Sequence, residues 1–334
     1  MIISANRIKK ILYYLKKGRI NVFINALRLT FFNNNLNNNK LKFHSKKFNN
    51  EPLCFPLFKK TDVSERPFVS IIIPVYNQWN YTYICLKSVL ENTKNISYEI
   101  IIADDNSSDE TVNAKKYVKN IKITRNKNNL GFLKNCNNAA KYATGNYILF
   151  LNNDTEVQKN WLKNLLRIME TDESVGMVGP KFIYPNGVLI EAGGIIWKDG
   201  ESWQYGRFDN PKRPEYNYIR EVDYISGACI LLKKELFNNI DGFDERYAPA
   251  YYEDTDLAFE VRKMGYKVIY QPESVITHYE NITYKKSDSK NKYKSKNTNN
   301  IEMFKQKWKY VLENEHYEHM SNISNAKERT KHNA

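Results

Sequence analysis

The chain has 334 residues, an apolar fraction of 42% and a formal net charge of +14, enough for one large domain or two small ones with a sizeable core. The charge is uneven: residues 1–60 carry 13 Lys and Arg against the single acid Glu51, residues 281–334 carry 12 against 6, and residues 61–280 are left at −4. A nucleic-acid binder needs its basic face on the folded domain, so nucleic acid is excluded as a partner and an anionic contact is expected of the flanks.

Residues 5–30 read as an interrupted amphipathic helix, with Ile8, Ile11, Leu12 and Leu15 at helical spacing and Phe23, Ile24 and Leu27 resuming it after Gly18. Lys9, Lys10, Lys16, Lys17 and Arg19 fall largely on its polar side. Two readings stand for such a helix. It lies in an anionic membrane interface, or it packs on the main domain with a basic face to solvent. Residues 33–50, with NNNLNNNK, read as a linker that closes a region 1–50.

A compact pattern starts near residue 66. Phe68–Pro74 and Tyr98–Ala103 are short β-branched runs of the kind that form buried parallel strands; Ile121–Thr124 and Tyr147–Leu151 follow as third and fourth strands. Helices are predicted over Tyr81–Asn92, from DDNSSDET to Tyr117, and over Asn135–Tyr142. Strands alternating with helices predict an α/β domain with a mostly parallel sheet flanked by helices, and ligands beyond the carboxyl ends of the strands. After about residue 175 strands shorten and loops lengthen. Residues 281–300 read as disordered, and a basic tail over 281–334 ends in a helix near Met303–Leu312 that docks through Phe304, Trp308 and Val311. Cys54, Cys85, Cys136 and Cys229 have neither zinc-ligand nor redox spacing and read as reduced, buried thiols. The start lacks a signal-peptide pattern, and no run reaches the ~18 apolar residues of a membrane span. The chain is therefore expected in the cytoplasm, peripheral on the inner face of the cell membrane where its basic helix binds.

Acids gather at three predicted strand ends. Asp104-Asp105 can accept hydrogen bonds from a nucleobase or ribose, or cap a helix. Asn152-Asn153-Asp154 follows the fourth strand, where one carboxylate with diphosphate oxygens and water suffices for a hard divalent cation. Glu253-Asp254-Thr255-Asp256 opens a helix, where acids also favour the dipole. His278 follows the strand-like Ser274–Thr277 and is either a structural histidine or a nitrogen ligand.

Taken in order, these blocks resemble the family 2 glycosyltransferases of the GT-A fold. VSIIIPVYNQ, EIIIADDNSSDET, NLGFLKNCNNAAKYATGNYILFLNNDT, GFDERYAPAYYEDTDLAFEVRKMGYKV and SVITHYE carry the resemblance over residues 66–280. The late blocks are most like bacterial surface-polysaccharide transferases, including rhamnosyltransferase-like members. The resemblance implies an inverting transfer from a UDP- or dTDP-linked sugar to a hydroxyl of a cell-envelope glycan or a lipid-linked acceptor. It implies donor contacts at Pro74, Tyr76, Asn77, Asp104, Asp105, Asn129, Gly131, Asn135 and Asn153. It implies Mn²⁺ or Mg²⁺ on Asp154 and His278, and a catalytic base at Asp254 with Glu253 as the second candidate and Asp256 after it. The family's metal motif often reads Asp-x-Asp; here Asp154 is its only carboxylate. Two rivals remain: a catalytically silent protein that binds glycan or an anionic surface, and a nucleotidyltransferase. PVYNQWN lacks the Gly-rich phosphate loop expected of the latter.

Overall fold

The computed structural model describes residues 12–26, 52–56, 68–280 and 299–329. The Asn-rich stretch 33–50 and most of the 281–300 segment lie outside the described residues. A ten-stranded mixed sheet organises the chain. Its strands are β1 (Val69–Val75), β2 (Tyr98–Asp104), β3 (Lys122–Arg125), β4 (Tyr147–Leu151), β5 (Thr155–Val157), β6 (Val175–Ile183), β7 (Leu189–Glu191), β8 (Arg220–Glu221), β9 (Cys229–Lys233) and β10 (Lys267–His278). They lie in the order β8-β10-β6-β9-β4-β1-β2-β3, with β5 paired to β10 and β7 to β6. The pairs β1–β2, β1–β4, β2–β3 and β6–β10 are parallel, and β9 runs antiparallel between β4 and β6.

The continuous apolar runs follow from burial on both faces. Ile72, Ile101, Ile148 and Phe150 enter one core, which also holds Leu133, Leu257, Phe259 and Phe304. Their neighbours Ile71, Ile73, Ile100, Ile102 and Leu149 enter the other, with Leu86, Val89, Leu162 and Leu165. Four helices supply most of this cover: α1 (Trp79–Asn92), α2 (Phe132–Ala140), α3 (Trp161–Thr171) and α4 (Glu253–Lys263). The helix expected up to Tyr117 is a 3₁₀ turn, Glu110–Asn113, followed by one helical turn, Ala114–Tyr117. Asp109 caps that turn by accepting from the Thr111 amide at 3.0 Å.

Strand register creates an opening. β1 pairs with β2 from Val69 to Val75 but with β4 only as far as Ile72. Pro74 has no N–H to donate and sits where the β4 side of β1 is already free. Beyond that point β1 and β4 part, and their following loops are available for a site.

Of the basic helix expected over 5–30, residues 12–16 and 20–26 are described and helical. Arg19 is a correction to its polar side. Its guanidinium is buried and donates to Asp209 at 2.9 Å, to the Tyr216 hydroxyl at 3.0 Å and to both Glu215 oxygens at 2.7 and 2.8 Å. Helical spacing locates a face but not what opposes it; here two acids meet the arginine, and Tyr14 and Val22 pack into the core beside it. The stretch expected to be disordered to residue 300 is likewise helical at 299 and 300. Asn300 is buried because its amide donates to the carbonyls of Tyr247, Ala250 and Tyr251. Phe304 and Trp308 are buried as expected, with Val311 partly buried. Cys85, Cys136 and Cys229 are free and buried, but Cys54 is exposed, a correction to its expected burial: it ends the two-residue strand Leu53–Cys54, in which Leu53 takes the inward position.

Replacing Arg19 takes from Asp209, which is 2% exposed, one of its two cations and leaves it Arg213 Nε at 3.1 Å and the Tyr216 hydroxyl at 2.8 Å. Losing a charged hydrogen bond of this kind costs about 2 kcal/mol. Arg19→Ala is expected to lower unfolding stability by that order and to open residues 12–26 to protease; denaturant titration with limited proteolysis reads both, and an unchanged midpoint would remove the anchoring role.

Candidate functional site

The loops after β1 and β2 are tied together. Asn77 adopts a left-handed backbone, φ 59°, and its Oδ1 accepts from the amides of Ser108 and Asp109 at 2.8 and 3.2 Å. Its own amide donates to the Ser107 hydroxyl at 2.8 Å. Asp104 is buried. It accepts from the Ser107 amide at 2.8 Å and pairs with Arg125, its register partner on β3. Asp105 accepts from the amides of Leu130 and Gly131 at 2.9 and 2.8 Å and from the Asn126 side chain at 2.9 Å. Gly131 has φ +84°, and a Cβ there would meet Pro249 Cβ at 3.0 Å, so glycine is required on two grounds. Asn129 adds a second acceptor for the Gly131 amide, at 3.2 Å. Asn135 is spent on scaffolding: its amide donates to the Ala103 carbonyl at 2.7 Å, and its oxygen accepts from Asn126 at 2.9 Å. Tyr76 is 40% exposed at the edge of this group. Pro74, Tyr76, Asn77, Asp104, Asp105, Asn129, Gly131 and Asn135 thus gather at the ends of β1 and β2.

Antiparallel pairing of β5 with β10 sets Thr155 opposite His278. Its neighbour Asp154 consequently meets the imidazole, Oδ1 to Nε2, at 3.1 Å, and the Tyr279 amide donates to the Asp154 carbonyl at 2.9 Å. Residues 124 apart in sequence become a carboxylate–imidazole pair. Burial alone would lower the His278 pKa, but the Asp154 carboxylate outweighs it and holds it above the usual histidine value. Asn153 turns aside, donating to the Thr82 hydroxyl of α1 at 3.0 Å.

A cleft of about 990 Å³ opens beside this pair, lined by Asn152, His278, Glu191, Trp203, Glu253 and Asp254 among others. The first three stand at or just past the carboxyl ends of β4, β10 and β7. Asp254 Oδ2 accepts from the Gly227 amide at 2.8 Å, and Oδ1 from the Thr255 amide at 2.7 Å. Burial raises the pKa of Asp254, and burial together with the Asp254 charge raises that of Glu253 well above the carboxylate range. Asp256, the last candidate base, faces away from the cleft. It accepts from Trp308 Nε1 at 2.7 Å, Lys307 Nζ at 2.8 Å and the Tyr247 hydroxyl at 3.2 Å. It therefore docks the C-terminal segment, which in turn lends Ile301, Glu302 and Lys305 to the cleft wall. Glu191 was not singled out from the sequence; its signal is an acid between apolar residues and Ala-Gly-Gly in VLIEAGG. Among the described residues Asp199, Glu201 and His319 also offer three donor atoms within 4.8 Å of one another, with His319 hydrogen-bonded to Asp199 at 2.9 Å.

Against known proteins, the sequence profile of glycosyl transferase family 2 matches residues 70–240. The chain belongs to this family. Its relatives include the UDP-Glc:α-D-GlcNAc-diphosphoundecaprenol β-1,3-glucosyltransferase WfaP of Escherichia coli, 35% identical over 179 residues that cover 52% of this chain and 63% of WfaP. Another is the O-antigen biosynthesis protein RfbC of Myxococcus xanthus, 28% identical over 65% of this chain, which spans only 18% of RfbC. Among solved structures, GalNAc-T7 with UDP, GalNAc and Mn²⁺ aligns over 82% of this chain and 56% of its own, with a TM-score of 0.57 at 16% identity. That likeness shows the GT-A fold, as the sequence blocks imply.

In this family 2 chain the contacts of Asp256 are those of a docking residue, to Lys307 and Trp308. Asp256→Asn keeps its shape but weakens the contacts to Lys307 and Trp308, at a cost of about 2 kcal/mol for a charged hydrogen bond. Lower thermal stability with turnover within about twofold below the melting range is the expected result; a steep loss of turnover at unchanged stability would return Asp256 to the candidate bases.

Proposed function

We propose that the chain transfers a sugar from a UDP- or dTDP-linked donor to a hydroxyl of a cell-envelope glycan or lipid-linked acceptor, with inversion at the anomeric carbon. The observation that carries this reading is one cleft lined both by His278 of the Asp154–His278 pair and by a raised-pKa Asp254. Asp154 and His278 fit a divalent cation, Mn²⁺ or Mg²⁺, as two of its ligands: an oxygen and a nitrogen donor meet at 3.1 Å with space for diphosphate oxygens beside them. Such a cation supplies Lewis-acid stabilisation of the leaving diphosphate. The residues at the ends of β1 and β2 shape the nucleotide side, with Asp105 holding the Asn129–Gly131 turn.

Asp254 takes the proton. The acceptor oxygen forms its bond to the anomeric carbon as the bond from that carbon to the diphosphate oxygen breaks, and the hydroxyl proton passes to the Asp254 carboxylate. The Gly227 amide and the Thr255 amide and hydroxyl fix the carboxylate while leaving Oδ2 able to accept one more hydrogen bond, and burial makes it a stronger base than a solvated aspartate. Because the pKa of Asp254 is raised, the active ionised form is lost as pH falls through a value above the ordinary aspartate range. The acidic limb of the rate profile should stand correspondingly high.

The transfer is tested by release of nucleoside diphosphate from UDP- and dTDP-sugars. Asp254→Asn is expected to keep donor binding and lose about 10²–10⁴-fold in turnover, and Asp154→Ala to weaken cation-dependent donor binding. Turnover within about threefold of wild type in Asp254→Asn, at unchanged melting temperature, removes the base assignment; full activity in excess chelator removes the cation.

The N-terminal helical segment supports an anionic membrane surface as partner. With Arg19, Tyr14 and Val22 turned inward, Leu12, Leu15, Ile20, Phe23 and Ile24 face outward at 37–59% exposure beside the exposed Lys16 and Lys17. Among the described residues no helix is long and apolar enough to cross a membrane, so contact would be interfacial. Co-sedimentation with phosphatidylglycerol-containing vesicles is expected and should fall several-fold in the combined variant Leu15→Ser, Ile20→Ser, Phe23→Ser. Equal sedimentation of the two proteins would place the membrane contact elsewhere.

A further inference from the structure

Glu191 is, like Glu253 beside Asp254, a buried acid of the cleft wall that the transfer described above leaves unused. It closes β7, opposite Phe182 of β6, and is 1% exposed. Its Oε1 accepts from the Ser226 amide at 3.2 Å. The next amide in the chain, that of Gly227, donates to Asp254 Oδ2 at 2.8 Å. Two successive N–H groups of one turn therefore hold two carboxylates from distant elements, and both carboxylates line the same cleft. Glu191 Oε2 is buried and, like Glu253 Oε2, meets no donor at hydrogen-bond geometry among the described residues, the Gln204 side chain lying near the carboxylate. Buried polar atoms are nearly always satisfied, and those that are not commonly await a donor that the protein itself does not supply.

Burial first, and then the Asp254 charge, push the Glu191 carboxyl up to about 7, a rise tempered by the Ser226 amide and the Gln204 side chain. The group is thus easily neutralised and stands ready to share a hydrogen bond with a hydroxyl. A diphosphate is a poor partner for it, because like charges repel and both Glu191 and Asp254 are acids. A sugar is a good one: neighbouring ring carbons each carry a hydroxyl, and Trp203 and Tyr252 add aromatic surface to the same cleft.

We propose that Glu191 is a second substrate-contacting carboxylate, which holds the acceptor-sugar hydroxyl adjacent to the one that Asp254 deprotonates. The Ser226-Gly227 turn fixes the spacing of the two carboxylates, so the pair selects an acceptor with a free hydroxyl next to the new linkage. The inference rests on the transferase reading and narrows its acceptor.

The experiment measures diphosphate release from UDP-glucose, UDP-N-acetylglucosamine and dTDP-rhamnose. The acceptors are methyl glycosides of glucose, galactose, N-acetylglucosamine and rhamnose, with their monodeoxy analogues. For the best acceptor, Glu191→Gln is expected to lower kcat/KM about ten- to a hundredfold through acceptor KM and turnover, with donor KM within about twofold. With the analogue lacking the adjacent hydroxyl, wild type and variant should converge, which a merely structural role would not produce. Glu191→Asp keeps the charge but shortens the reach, and is expected to show the same hydroxyl-dependent loss; it decides the matter should the amide variant not fold. An active wild type whose Glu191 variants match it on the parent acceptor, or lose equally on every deoxy analogue, overturns the Glu191 assignment alone. A folded wild type that releases no diphosphate with any pair overturns the transferase reading and this inference with it.

Discussion

Burying negative charge at the ends of strands is the constraint to which the rest of the structure answers. An unpaired buried carboxylate is costly in a medium of low polarity, so each must find donors or a cation. Asp104 has Arg125 and the Ser107 amide, and Asp105 has two loop amides and Asn126. Asp154 has His278, and Asp254 has the Gly227 and Thr255 amides. Away from the cleft the same need is met in the same way: Glu99 takes the Ser70 hydroxyl, the Thr144 amide and Lys122, while Asp209 takes Arg19 and Tyr216. Glu191 and Glu253 meet the requirement only in part, each with one buried oxygen unpartnered among the described residues.

Satisfying these acids dictates the shapes of the loops. For Asp105 to receive the Leu130 and Gly131 amides, the chain must turn with φ +84° at Gly131, and the turn then lies against Pro249. Pro249 belongs to the segment whose carbonyls at Tyr247, Ala250 and Tyr251 are gathered by Asn300. That segment leads directly into Glu253 and Asp254. Hydrogen bonds and packing together thus connect Asp105, just past the end of β2, with Asp254 at the start of α4, and the C-terminal segment braces the junction. A rigid scaffold of this kind is what pre-organised chemistry needs.

The parallel strands were legible because burial on both faces writes itself as uninterrupted Ile, Val and Leu, as in VSIIIPV and YEIIIA. That Asp154 and His278 belong together was legible only through the family resemblance of whole blocks, since no local pattern links positions 124 apart. What escaped was direction. A helical pattern placed Arg19 on a polar face, but its polar surroundings are Asp209 and Glu215 of a distant loop. Asp254 and Asp256 are both acids of one helical first turn, yet one meets Gly227 in the cleft and the other meets Trp308 behind it. Asn300 sat in a tract that reads as disordered, and only the three carbonyls opposite it explain its burial. Glu191 carried no motif; its meaning comes from the Ser226-Gly227 turn, which is contributed by a different part of the chain.

The reduced motif Asn152-Asn153-Asp154 also becomes intelligible in these terms. Asn153 donates to Thr82, which an ionised carboxylate at that position could not do. Asn152 has its amide committed to the Ala228 carbonyl and its carbonyl to the Thr155 hydroxyl, so its backbone sets the path of the turn between β4 and β5. Glu191, Glu253, Asp254 and Glu302 already line the adjoining cleft. Further carboxylates at 152 and 153 would add repulsion toward a diphosphate entering that end. Under the transferase reading the cost of the reduced motif falls on the cation, because a pair with one formal negative charge attracts it less than a pair with two. Oxygen atoms of the donor diphosphate would supply the missing charge, so cation affinity and donor affinity at this site are thermodynamically coupled, each raising the other by the same factor.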